Sequence, residues 1–260
     1  MKTGDPRIEV EVTSGVAHVS LRRPEKANAI DLDMAAAVAD AVVALSANRD
    51  LRALVLSGEG RSFSGGVDLA EFDEAVSPPE RRKAFLNAWE RMINAIRGTP
   101  FVSLVRIQGP AIAGGLSLAL AADVRVAGPK ASFGYPRIPD GNFPGQFNVS
   151  QLVRRIGPAR TRVMILAGRI IPAETAYQWG LVDVLTAQDQ LDDVMGDLLT
   201  EIGRTPRDLG VLANCLIENP ALDETWREAE RLHVSNDASG VDEFASRCRG
   251  TGAMWPPSEV

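Results

Sequence analysis

The chain is poor in the residues from which many active sites are assembled. It holds two histidines, His18 and His233, and two cysteines, Cys215 and Cys248. The histidines are far apart in sequence and form no cluster, so neither is assigned a catalytic role and no metal site is expected. No Ser-His-Asp set can be assembled, which argues against a protease. The cysteines lack metal-ligand spacing and any disulfide framework, so a reducing cytoplasm is the expected location. Long apolar runs are also missing: no window approaches the ~18 uninterrupted apolar residues of a membrane span. The polar residues 1–6 lack the apolar centre of a signal peptide. Basic excess is absent as well, and a formal net charge of −6 argues against a nucleic-acid partner.

What is present is ordinary for a globular chain: 260 residues, 45% hydrophobic and 24% charged, enough for one large α/β domain or two small ones. Ile8, Val10 and Val12 alternate with acids, and a turn at Thr13 to Gly15 leads into residues 16–21, the pattern of a β-hairpin. Asp31 or Asp33 is placed to cap a helix running to about Leu45. Residues 53–57 read as a short buried strand, and a helix is expected near residues 69–75. Ser77, Pro78, Pro79 and Glu80 read as a capping box, with proline at the first helical position. Behind it Phe85, Trp89, Met92, Ile93 and Ile96 keep helical spacing up to Gly98. Strands are expected at 101–107, 123–127 and 131–133, a loop at 137–148, and mainly helix from Val149, with a brief strand near 181–185. Strands alternating with helices imply a mostly parallel sheet flanked by helices.

Two glycine turns stand out, Ser64-Gly65-Gly66 and Ala113-Gly114-Gly115. Each follows a strand-like run and precedes a helix-like one. Two such turns can aim bare backbone N–H groups at one oxygen and stabilise charge that develops there. Residues 116–122 are almost wholly apolar, so the helix they form belongs in a core. Gly114 and Gly115 lie at its start, where N–H groups are unpaired and the helix dipole is positive.

Four segments, in order, resemble the crotonase superfamily, the enoyl-CoA hydratase/isomerase family. Residues 23–29 (RPEKANA) resemble its CoA-wrapping segment. Residues 60–69 (GRSFSGGVDL) and 108–123 (QGPAIAGGLSLALAAD) resemble its two oxyanion-hole motifs. Residues 167–182, ending in ETAYQWGLV, are similar to its following helical segment. The resemblance implies an α/β spiral core of repeated ββα units with a C-terminal helical region. Residues 1–195 are expected to form the core, and 196–260 a helical region contributing to oligomerisation. A homotrimer or a dimer of trimers is implied. The ligand implied is an acyl-CoA thioester, CoA being part of the substrate rather than a bound cofactor. Its carbonyl oxygen would be held by the N–H groups of Gly65 and Gly114. CoA contacts are implied for Arg23, Lys26, Ala27, Ser64 and Asp68, with Arg22 a further basic candidate. Phe244 and Arg247 are implied to reach the nucleotide of a neighbouring subunit.

The chain departs from the family at the proton-transfer positions. Hydratases of the family carry one glutamate where this chain has Ser117. The second lies in a Gly-x-Pro-Glu motif that reads GYPR here and ends at Arg137. Adding water across a double bond needs a positioned base and acid. A serine hydroxyl is not basic near neutral pH, and arginine stays protonated. Asp140 is the candidate replacement carboxylate, or a loop residue capping a turn. Tyr135 can donate a phenolic proton or simply pack, and Asp68 is expected to be structural. Arg137 suits a second acid group on the acyl chain, or an ion pair with Asp140. The expectation is therefore an acyl-CoA-binding family member with non-standard acid/base chemistry; the alternative is a non-catalytic acyl-CoA carrier acting through protein partners.

Overall fold

A computed structural model of the chain describes residues 4–71, 78–136, 144–218, 223–235 and 237–250. The N-terminal hairpin forms as expected, with β1 (Ile8–Thr13) antiparallel to β2 (Val16–Leu21). From β2 onward the sheet is parallel. It continues through β3 (Ala53–Gly58), β4 (Val102–Ile107), β6 (Val124–Ala127) and β9 (Val184–Leu185), in the order β1-β2-β3-β4-β6-β9. A second, small sheet joins β5 (Ala111–Ile112), β7 (Ser132–Gly134) and β8 (Ile171–Pro172). Its two-residue strands are too short to show a period-2 signal, so β5 and β8 were not expected from the sequence.

Helix α1 (Leu32–Ser46) buries Met34, Val38, Val42 and Leu45 on one stripe. Of the two candidate caps it uses Asp31, which accepts from the Met34 N–H at 3.0 Å. Helix α2 (Pro79–Arg97) buries Phe85, Met92, Ile93 and Ile96. Its N-cap is Pro78, which makes no side-chain cap, and Pro79 takes the first helical position; Ser77 lies outside the described residues. The helix expected near 69–75 is a single 3-10 turn, Leu69–Glu71, in the described part. Helix α3 (Gly114–Ala121) is buried at every position, as its all-apolar sequence requires. Helix α4 (Gly145–Leu166) begins inside the stretch expected to be loop and is kinked at Gly157, whose φ of 78 precedes Pro158.

Helices α1, α2 and α3 cover one face of the large sheet and share the main core. The other face carries Ala53, Val55, Leu104 and Val126 against Leu191 and Met195 of α6 (Leu191–Arg204), which follows α5 (Ala173–Trp179). The expected boundary at 195/196 thus falls within α6. A separate cluster is built by α7 (Arg207–Glu218), α8 (Asp223–Ser235) and α9 (Ala238–Gly250) around Val211, Cys215, Val241 and Phe244. No helix among the described residues is long and apolar enough to cross a membrane.

Candidate functional site

The two glycine turns meet. Residues 64–68 lie between two other segments, bridged to Ile30 through Val67 and to Ala111 through Ser64. On the Ile30 side the backbone is fully engaged: Ile30 N–H donates to the Gly66 carbonyl at 2.8 Å, and Asp68 N–H to the Ile30 carbonyl at 2.9 Å. In this parallel arrangement the Val67 N–H points the other way, toward the side occupied by residues 111–114. It has no hydrogen-bond partner among the described residues, and neither has the Gly114 N–H.

Glycine is required where the turns touch. Gly66 has φ +94, and a Cβ there would lie 2.5 Å from the Gly114 nitrogen. A Cβ on Gly115 would lie 2.1 Å from the Ser64 carbonyl oxygen. Ala113, the residue before α3, is held at φ 51, ψ −116, a region that L side chains rarely occupy. Its N–H is anchored on the Gly134 carbonyl at 2.8 Å, and its carbonyl accepts the Ser117 N–H at 3.1 Å. That fixed turn sets the start of α3, where the Gly114 N–H has no partner among the described residues.

Gly65 is placed differently from its expected role. Its N–H donates to the Ala27 carbonyl at 2.7 Å. The group is therefore spent on holding the 23–30 segment, and of the two expected donors only Gly114 stays open. Nothing in the sequence distinguishes the amides of Gly65 and Val67; the bridge to Ile30 decides between them.

The residues expected to contact CoA are mostly committed to holding the turns. Asn28 is fully buried; its side-chain oxygen accepts the Arg23 N–H at 2.9 Å, and its amide donates to the carbonyls of Glu59, Ser62 and Phe63 at 2.9, 2.9 and 3.1 Å. Ser64, also buried, donates to the Asn28 carbonyl at 2.9 Å and accepts the Gly66 N–H at 3.0 Å. Arg23 bonds Asp68 at 2.7 Å and the Ala29 carbonyl at 3.0 Å, so its guanidinium is internal rather than free for phosphate. Asp68 also caps the 3-10 turn through the Ala70 N–H at 3.1 Å. Burial raises its pKa, but the Ala70 N–H and Arg23 outweigh that and hold the carboxyl below its ordinary value. Arg22 pairs with Glu9 and Glu59 at the surface, whereas Lys26 is exposed and Ala27 half-buried. Phe244, expected to reach a nucleotide, is instead buried in the α7–α9 cluster of the same chain, and Arg247 pairs with Glu228.

Ser117 and Tyr135 are brought together. Their hydroxyls lie 3.3 Å apart, both residues are buried, and the Ser117 hydroxyl also donates weakly to the Ala113 carbonyl at 3.4 Å. Burial pushes the Tyr135 phenol above its ordinary range, and the bond to Ser117 only partly offsets this. The pair is neutral and protonated throughout the ordinary working range. Arg137 and Asp140 lie outside the described residues.

Two further residues were not expected from the sequence. The ring of Trp89 abuts Gly114: a Cβ on Gly114 would lie 2.6 Å from Cη2 and 2.9 Å from Cζ2 of the indole. Helical spacing marked Trp89 only as a packing position. Arg125, fully buried, caps the far end of α3 through the Ala122 carbonyl at 2.8 Å, and also binds the Leu181 and Asp123 carbonyls at 2.8 and 3.0 Å. Burial lowers its pKa to about 10, with Arg155 adding to the effect, and Asp183 opposing it from the bonded side.

Fold and site together define an α/β protein in which a buried helix presents an unpaired backbone amide next to a second one from a neighbouring turn. The chain belongs to the enoyl-CoA hydratase/isomerase family, whose model matches residues 11–229. It is 35% identical over 185 residues to a probable enoyl-CoA hydratase of Mycobacterium leprae, covering 68% of this chain and 63% of that one, just under two thirds of the relative's length. It is 29% identical over 248 residues to 4-chlorobenzoyl coenzyme A dehalogenase-2 of an Arthrobacter species, covering 94% and 89% of the two chains. A Thermobifida fusca structure solved in complex with CoA matches with a TM-score of 0.81 at 23% identity over 90% of this chain and 95% of that one, a likeness of fold.

Proposed function

We propose that the chain binds an acyl-CoA thioester with its carbonyl oxygen between the N–H groups of Val67 and Gly114, and that these stabilise the negative charge formed there. The observation that carries the reading is the pair of unpaired amides on turns whose Cα atoms are in contact at Gly66 and Gly114. Fixed donors favour an enolate over the ground-state thioester, because the charge they meet grows during the reaction. Removing one such donor costs on the order of 3 kcal/mol of transition-state stabilisation. The Mycobacterium relative is named for hydration and the Arthrobacter relative for dehalogenation of a CoA thioester. Membership of the family therefore leaves the reaction open, and the site residues have to decide it.

The reading separates thioester recognition from hydratase chemistry. Ser117 stands where the family's hydratases hold a glutamate, and its hydroxyl faces Tyr135, so neither residue is a base at neutral pH. A reaction that generates the enolate without a base fits such a site; loss of carbon dioxide from a carboxyl-bearing acyl group is one, the electron pair of the breaking C–C bond becoming that of the enolate. Asp140 is the proposed carboxylate for any proton step, and exposed Lys26, with Ala27 beside it, the proposed CoA contact. We extend the proposal to assembly as a homotrimer or a dimer of trimers. The carrier reading draws on the same neutral Ser117–Tyr135 pair.

A screen of acyl-CoA thioesters, dicarboxylic ones included, for both binding and turnover tests these readings. Binding is expected, with crotonyl-CoA hydration well below the ~1 per second of ordinary enzymes. Turnover of crotonyl-CoA at or above that rate overturns the proposed chemistry, and binding of every thioester without turnover of any favours the carrier. An Asp140→Ala variant with unchanged turnover on the best substrate removes Asp140 from the mechanism.

A further inference from the structure

We infer that Gln108 is a positioning residue for the proposed site: its carboxamide fixes the two glycine turns relative to each other and so sets the spacing of the Val67 and Gly114 amides. The inference rests on the proposed seat of the thioester carbonyl between those two groups. Gln108 follows β4 and is buried. Its Nε2 donates to three backbone carbonyls of the loop that leads to the first turn: Gly58 at 2.7 Å, Gly60 at 3.1 Å and Ser62 at 2.9 Å. Its own backbone leads through Gly109 and Pro110 to the second turn. One side chain thus spans both segments.

The two segments are also joined nearer the glycines. There the Phe63 and Ser64 N–H groups donate to the Pro110 carbonyl at 3.1 and 3.2 Å, and the Ile112 N–H donates to the Ser64 carbonyl at 3.0 Å. Joined at that point alone, the segments could pivot about it, and the amides beyond would separate or close. The Gln108 amide ties them a second time, on the side away from the glycines, and two ties remove the pivot. Glu59, Gly60 and Arg61 are exposed, so the loop has little packing to hold it otherwise. The tie is itself anchored: Gln188, in the 3-10 turn after β9, donates its Nε2 to the Gln108 carbonyl at 3.1 Å. Chemistry decides the orientation of the Gln108 amide. Its two N–H protons serve three carbonyls, while the buried Oε1 has no partner among the described residues. Exchanging the two ends would set four oxygens against one another. An apolar side chain would spare the cost of that bare oxygen, so what Gln108 supplies is its donor end.

The test is infrared difference spectroscopy of the full chain with benzoyl-CoA carrying a 13C-labelled carbonyl, joined to calorimetric titration with benzoyl-CoA and CoA. Benzoyl-CoA has no α-hydrogen to lose, so it reports on the carbonyl without reacting there. In the wild type the carbonyl band is expected at lower frequency than in solution. Gln108→Met keeps the length of the side chain without its donor. It is expected to return the band at least about half-way to its solution position and to weaken benzoyl-CoA binding about 5-fold, the worth of one hydrogen bond, with the affinity for CoA within about 2-fold of wild type. Gln108→Glu, equal in shape but presenting oxygen to the three carbonyls, is expected to do the same or more; Gln108→Asn, a donor one methylene short, is expected to fall between. A folded Gln108→Met whose band stays at the wild-type position overturns the assignment, since a purely structural role lowers stability and leaves the band alone. Equal losses of affinity for benzoyl-CoA and CoA also overturn it. Should the methionine variant fail to fold, the asparagine variant decides, and a band at the wild-type position there overturns the assignment. An undisplaced band in the wild type is a different result: it overturns the thioester reading itself, and the assignment with it.

Discussion

Gly65 and Gly66 are neighbours of identical chemistry, yet a methyl group has opposite consequences at the two. At Gly65 it would meet the Ala27 carbonyl oxygen at 3.5 Å and the Ala27 Cβ at 3.6 Å, ordinary contact distances. At Gly66 it would meet the Gly114 nitrogen at 2.5 Å on a backbone with φ +94. Gly65→Ala is therefore expected to change stability by less than about 1 kcal/mol, and thioester affinity little, since its N–H is already used. Gly66→Ala is expected to reduce kcat/KM by about 100-fold or more by displacing the Gly114 amide. Thermal melts and thioester kinetics on the two variants check this. Asp68 has its own signature. Its folded pKa lies below the ordinary value, so its contribution is present above that value and is lost as pH falls through the depressed one. Asp68→Asn is expected to cost about 1–3 kcal/mol near neutral pH and to flatten the loss of stability below about pH 4. Melting curves from pH 3 to 7 measure it. At this scale sequence reading marked the two glycine turns that the fold brings together, and the amide left open in the first turn lies two residues beyond the one expected. The choice between Gly65 and Val67 depends on which amide a neighbouring segment consumes, and that is a property of pairing rather than of residue type.

Helix α3 carries the electrostatics of the site. Its N-terminus is presented by the strained turn at Ala113, and its C-terminus is capped by the buried Arg125. The positive end of the helix dipole thus lies at the open amides, while a cation offsets the negative end inside the core. Arg125→Met removes that cation and leaves buried carbonyls without a donor. It is expected to cost about 3 kcal/mol or more in denaturant unfolding. The helix itself was legible in its apolar run and its glycine start. Arg125 was not, because an arginine inside a strand of the sequence gives no sign that it reaches across to another element. Trp89 is the same case on α2: helical periodicity marks its side of the helix, but only the tertiary packing of α2 on α3 brings its ring to Gly114.

Across the whole molecule, the parallel sheet, the hairpin at its edge and the helices on both faces follow from alternation and burial patterns spread along the chain. The small second sheet does not, since β5 and β8 offer two residues each. The separate α7–α9 cluster holds Phe244 buried within the same chain. Light scattering on the full chain is expected to give three or six times the 27.9 kDa subunit mass. The site proposed at the meeting of these layers would depend on two backbone amides, and the carbonyl stretch of a bound thioester would report on them directly. Infrared difference spectra of benzoyl-CoA carrying a 13C-labelled carbonyl are expected to show the band displaced to lower frequency on binding to the wild-type protein, and returned toward its solution position in Gly66→Ala. A bound thioester whose carbonyl band stays at its solution frequency in the wild type would contradict donation by Val67 and Gly114.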